Sequence, residues 1–167
     1  MKTLLIRIVA LAVVLAAPAW AADSETMRAA DAGVRPEFCP TLRAVVDAAG
    51  SGFTGLRGAA QVGGEHAWEG TKRFPGNGDC LVFGGSPAAY VCTLYVGDDE
   101  DNADGAYERA VSGVKDCLGA AWKTTEKSDG EHARTTIARA DSGASLRVVS
   151  RDVSGDAYLV ELWVDGK

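Results

Sequence analysis

Two stretches of this chain repeat each other at a nearly constant interval, and that periodicity limits the folds available to it. Ala89-Tyr90-Val91-Cys92-Thr93-Leu94-Tyr95-Val96 aligns with Ala157-Tyr158-Leu159-Val160-Glu161-Leu162-Trp163-Val164 at an offset of 68. Gly64-Glu65-His66-Ala67 recurs as Gly130-Glu131-His132-Ala133 at an offset of 66, and residues 45–53 resemble residues 114–122 at an offset of 69. Each match is short. Their common order and spacing point to a duplicated unit, with convergent amphipathic patterning as the alternative.

Local signals divide the chain the same way. Phe38, Leu42, Val45, Val46 and Ala49 recur at helical spacing, and Gly50 stops that helix. Ala103, Ala106, Tyr107, Ala110, Val114, Cys117 and Leu118 form the apolar face of a second helix, which Gly119 stops. Four strand candidates follow each helix: 53–60, 66–74, 80–84 and 89–96 in the first half, and 122–127, 132–140, 145–153 and 157–164 in the second. Gly and Pro clusters separate several of them.

The expected fold is therefore α+β: a tandem duplication of a helix-plus-four-strand unit, residues 36–98 and 99–167, within one domain. It predicts an antiparallel sheet of up to eight strands, disulfide-bonded, with two helices on one face. This layout is similar to the tandem-repeat architecture of the secreted β-lactamase inhibitory protein and to TATA-binding-protein saddles. The chain carries no sequence motif of either, so the resemblance is architectural and assigns no function.

The four cysteines, Cys39, Cys80, Cys92 and Cys117, allow three pairings. Folding the 80–92 hairpin symmetrically sets Phe83 opposite Ala89, Leu81 opposite Val91 and Cys80 opposite Cys92, close enough for a bridge. Cys39, at the start of the first helix, then pairs with Cys117, at the end of the second. Four thiols on a metal are the alternative, but no C-x-x-C spacing supports it.

Disulfides imply an oxidising compartment, and the first residues agree. Lys2 and Arg7 precede an apolar run from Ile8 to Ala17, and Ala19-Trp20-Ala21 offers small residues at the positions a signal peptidase reads. The reading is a cleaved signal peptide over 1–21, a flexible lead-in over 22–35, and a periplasmic or secreted protein without a transmembrane segment. Removing 1–21 reduces 17 basic residues to 15 against 23 acidic ones, a net charge of −8. That charge disfavours nucleic acid and anionic membrane.

Side chains alternate along strands. In the last strand of each half, Tyr90, Cys92, Leu94, Val96 and Tyr158, Val160, Leu162, Val164 form one almost wholly apolar face, expected under the helices. The other face mixes polar groups with rings, and Tyr95 and Trp163 occupy equivalent positions. With hairpin partners added, the predicted open face carries Leu81, Phe83, Val91, Tyr95, Leu159 and Trp163 beside Arg147 and Arg151. Aromatic residues and arginine dominate protein–protein hot spots, and an exposed apolar patch of this kind marks an interface. Cover by residues 22–35, by the 57–65 stretch or by a homodimer is the alternative.

Catalytic signals are weak. His66 and His132 with Glu65 and Glu131 could form a symmetric metal pair, although strand-edge polar groups explain them more simply. Ser86 echoes a nucleophile elbow but sits in a hairpin turn with Pro87 rather than in a strand-to-helix turn. The acidic run from Asp98 to Asp104 places Val111 where a calcium loop needs glutamate. These acids instead suit the N-terminus of the second helix, with Asp101 or Asn102 as cap. The expectation is a non-catalytic, cofactor-free binding module, of inhibitor or immunity type, with a protein partner. A small-ligand or lipid binder and a small hydrolase with an unrecognised site are the rivals.

Overall fold

In a computed structural model, the structure describes residues 36–75, 78–128, 133–140, 144–153 and 157–166. The expected export signal and lead-in lie outside these residues, as do His132 and Glu131.

The first helix, α1, spans Phe38–Ala48 and buries Phe38, Leu42 and Val45, the stripe its periodicity predicts. It runs into a short 3-10 turn over Ala49–Ser51. The chain does not then enter a strand at residue 53, as the apolar pattern suggests. Phe53 adopts a left-handed backbone (φ 61°) with its ring wholly buried, and its N–H closes back onto the Ala48 carbonyl at 3.1 Å. Another 3-10 turn fills Thr54–Leu56, so β1 is only Arg57–Ala60. β2 is also shorter than its pattern, Ala67–Gly70, because His66 has φ 62° and the chain beyond Gly70 leaves the sheet. β3 spans Cys80–Phe83 and β4 Ala89–Gly97.

The second half contributes α2 over Glu100–Leu118, then β5 (Trp122–Ser128), β6 (Ala133–Ala140), β7 (Ser145–Asp152) and β8 (Tyr158–Asp165). The cap of α2 is Asp99, two or three positions before the residues expected. Its carboxylate accepts from the Asn102 N–H at 2.9 Å, the bond an N-cap makes to the third helical residue. Glu100 and Asp101 occupy the first turn, where the helix dipole favours acids.

All eight strands join one antiparallel sheet in the order β1-β2-β3-β4-β8-β7-β6-β5. The last strand of each half thus lies at the centre, β4 against β8. One face of these strands, including Tyr90, Cys92, Val160, Leu162 and Val164, joins Leu42, Val45, Tyr107 and Val114 of the helices in a single buried core. The registers expected from hairpin symmetry hold: Cys80 faces Cys92, Leu81 faces Val91, Arg147 faces Trp163 and Arg151 faces Leu159.

Both expected disulfides form. Cys80–Cys92 crosses neighbouring strands and Cys39–Cys117 ties the start of α1 to the end of α2. The guanidinium of Arg43 reinforces that second junction, donating twice to the Cys117 carbonyl at 3.1 and 3.3 Å. Gly113, inside α2, gives up helix propensity for close packing. A Cβ there would lie 2.8 Å from the Phe38 ring, so the glycine admits α1 against α2.

Alternation fails at one point in β4. Thr93 pairs with Glu161 but Tyr95 pairs with Val160, leaving Leu94 as the extra residue of a β-bulge. The slip turns Tyr95 to the helix face, where Val160 is buried, and turns Val96 to the opposite face, where it is 68% exposed. The expectation that Tyr95 shares a face with Trp163, and Val96 with the core, is thereby corrected. The Tyr95 hydroxyl donates to the Asp99 carbonyl at 3.1 Å and accepts from its N–H at 3.3 Å. The ring thus braces the strand end against the cap of α2.

Candidate functional site

The site grows from a row of residues that the ladder sets side by side across the helix-free face. Glu69 of β2 faces Leu81 of β3, Leu81 faces Val91 of β4, Val91 faces Trp163 of β8, and Trp163 faces Arg147 of β7. A second row lies beside it: Thr93 faces Glu161, and the Thr93 N–H donates to the Asp79 carbonyl at 3.0 Å. Residues of both rows line a groove of about 530 Å3. Its floor is Leu81, Val91 and Trp163, with Phe83 at one end. Glu69, Asp79, Glu161, Arg73 and Arg151 wall it. Val91 is only 6% exposed because its larger neighbours shield it, while Phe83 is 40% exposed.

Trp163 is held on several sides. Arg147 stacks on its ring at 4.9 Å. Its Nε1–H donates to the Glu161 carboxylate at 3.2 Å. Glu161, with a side chain 13% exposed, also accepts from Arg151 at 3.3 Å. Arg147 is anchored in turn by Asp165 at 3.1 Å, and Asp165 accepts from the Ser145 hydroxyl at 2.8 Å. An indole fixed this way loses little side-chain freedom when a partner covers it, which favours binding.

The opposite wall is set from the core side. The Tyr90 hydroxyl donates to the Lys72 carbonyl at 2.6 Å and accepts from the Lys72 N–H at 2.9 Å. The clamp needs Gly70, where a Cβ would collide with that hydroxyl and with Cys80. Burial raises the Tyr90 pKa above its ordinary 10.0, against the lowering effect of the Lys72 bond and of Arg73. Beyond Lys72, Arg73 reaches Asp79 in an exposed ion pair at 2.5 Å.

Of the seven residues expected on the face, Leu81, Phe83, Val91 and Trp163 line the groove, and Arg147 supports Trp163. Leu159 shares the face farther along, between Val96 and Arg151. Tyr95 lies on the other side of the sheet. The pattern missed Glu69 and Val96. Glu69 sits in a strand whose register against β3 no hairpin symmetry specified, and the bulge that exposes Val96 hides inside the apolar run Leu94-Tyr95-Val96.

The acidic run and Ser86 do not line the groove. Asp104 and Glu108 of the acidic run pair with Arg134, at 3.4 and 2.6 Å, on the helix side. Arg134 also stacks on Tyr107 at 4.5 Å, and the Tyr107 hydroxyl bonds Thr136 at 2.8 Å in the core. Ser86 precedes a cis Pro87 in the β3–β4 turn. Among the described residues, no group of three or more His, Cys, Asp or Glu could hold a metal ion, and no helix is long and apolar enough to cross a membrane.

No protein-family model matches the chain, and neither the curated proteins nor the solved structures yield a significant match.

Proposed function

We propose that this protein is an exported, non-catalytic binding module, of inhibitor or immunity type, that occupies a protein partner with the helix-free face of its sheet. The observation that carries the reading is the groove. It has an apolar floor, an indole pinned by Arg147 and Glu161, and a charged rim on the face opposite the helices. Buried aromatic anchors ringed by polar groups are what partner surfaces use. Val96 and Leu159 extend the apolar surface along the same face. Two disulfides suit an oxidising compartment, and the N-terminal export pattern supports a periplasmic or secreted location. A tandem duplication is part of this reading. It is supported by a helix and four strands in each half and by β4 lying beside β8.

The test is capture. The disulfide-bonded protein is presented to envelope and culture-supernatant extracts, beside a Phe83→Ala, Trp163→Ala double variant. One dominant protein retained by the native chain and lost by the variant supports the reading. Equal retention by both removes the groove from it. A second reading draws on the same cavity, since about 530 Å3 also suits a small molecule. A metabolite or lipid co-purifying with the native chain, and absent from the variant, would favour that one.

A further inference from the structure

Resting on that binding reading, we infer that the groove receives a basic side chain, lysine or arginine, projected by the protein partner. Three observations converge on it. First, the floor formed by Leu81, Val91 and the Trp163 ring is an apolar row running across β3, β4 and β8. Such a row suits the aliphatic stem of a long side chain, which buries its methylenes while the charged head stays at the polar rim. Second, the rim is unbalanced: three carboxylates, Glu69, Asp79 and Glu161, face two guanidinium groups. Both guanidinium groups are already committed, Arg73 to Asp79 and Arg151 to Glu161. The Glu69 carboxylate has no ion pair or hydrogen bond among the described residues. Third, the whole chain carries net charge −6, which steers a basic partner surface toward it and an acidic one away.

Cation and stem are both required. An aspartate or glutamate would meet the unpaired Glu69. A short neutral side chain would leave the row partly uncovered. The guanidinium or ammonium head is placed at the Glu69 carboxylate, at the β2 end of the floor, with its stem running over Leu81 and Val91.

The experiment is an NMR titration of the 15N-labelled, disulfide-bonded protein, read at the Trp163 indole N–H and the Leu81 and Val91 amides. The probes are N-acetyl-arginine methylamide, its neutral citrulline isostere, and N-acetyl-glutamate methylamide. The arginine probe is expected to shift these resonances, the citrulline probe less and the glutamate probe not at all. Glu69→Gln should weaken the arginine probe by about threefold, the scale of one exposed ion pair, and added salt should do the same. Glu69→Arg should abolish the shifts while leaving the remaining spectrum unchanged. Equal binding of citrulline and arginine probes, preference for glutamate, or no shift up to the probe's solubility would overturn the inference. The wider reading fails separately. A captured partner lost by Phe83→Ala, Trp163→Ala but retained by Glu69→Gln and Glu69→Arg keeps the binding module and removes the basic side chain from it.

Discussion

Replacing Tyr90 with phenylalanine isolates a single clamp that holds one wall of the groove. The ring is 1% exposed and packs on Phe53 with centroids 5.7 Å apart. Phenylalanine preserves both the volume and that contact. What disappears is the hydroxyl, and with it the bonds to the Lys72 carbonyl and N–H. At a net value of about 1 kcal/mol for each bond, the loss is about 2 kcal/mol, rising to about 3 if the freed Lys72 amide finds no water. A pH signature accompanies it. Burial raises the Tyr90 pKa above 10.0, so the fold favours the neutral phenol. The associated stability is complete below pH 10 and is lost as pH rises through the folded value. Tyr107 is raised in the same direction, again mainly by burial, so Tyr90→Phe should leave an alkaline decline that is shallower rather than absent. The assay is urea unfolding followed by tryptophan fluorescence at neutral and alkaline pH, with unchanged m confirming that compactness is preserved. A variant within about 0.5 kcal/mol of the native chain, the range of an ordinary surface change, would refute the clamp. So would an alkaline decline of equal steepness.

Three further outcomes follow from the geometry. Tyr95→Ala should cost about 2–3 kcal/mol, from lost packing against the core and the bonds to Asp99, yet leave partner capture intact. Trp163→Ala should abolish capture, and urea unfolding beside the pull-down separates the two. Replacing Cys39 and Cys117 together by alanine should cost about 4.5 kcal/mol, and Cys80 with Cys92 about 2.8, from the loop entropy of separations of 78 and 12 residues. Denaturation midpoints in the reverse order would place the stabilisation in the native state. Asp99→Ala removes the α2 cap and should lower stability by about 1 kcal/mol, while Asp101→Ala, which does not cap, should change it far less.

The parts of the fold legible in the sequence are those fixed by local chemistry. Helical periodicity located α1 and α2, because burial of one stripe selects residues at that spacing. Hairpin symmetry set Cys80 against Cys92 and Arg147 against Trp163, because side-chain alternation makes a one-residue slip in a two-faced sheet expose the core. The second disulfide followed by exclusion once the first was placed. Four residues of the groove were visible for the same reason. Tertiary structure alone decided the rest. The bulge at Leu94 lies in a run apolar at every position, so no pattern marks the phase change. It is held instead by the bond of Tyr95 to Asp99, a contact with the start of the next helix. Phe53 breaks its apparent strand because its buried ring and its bond to Ala48 outweigh local preference. Glu69 joins the groove only through the pairing of β2 with β3. Alternation is a property of one strand, whereas a site is a property of several, and their registers are fixed by contacts that no single segment contains.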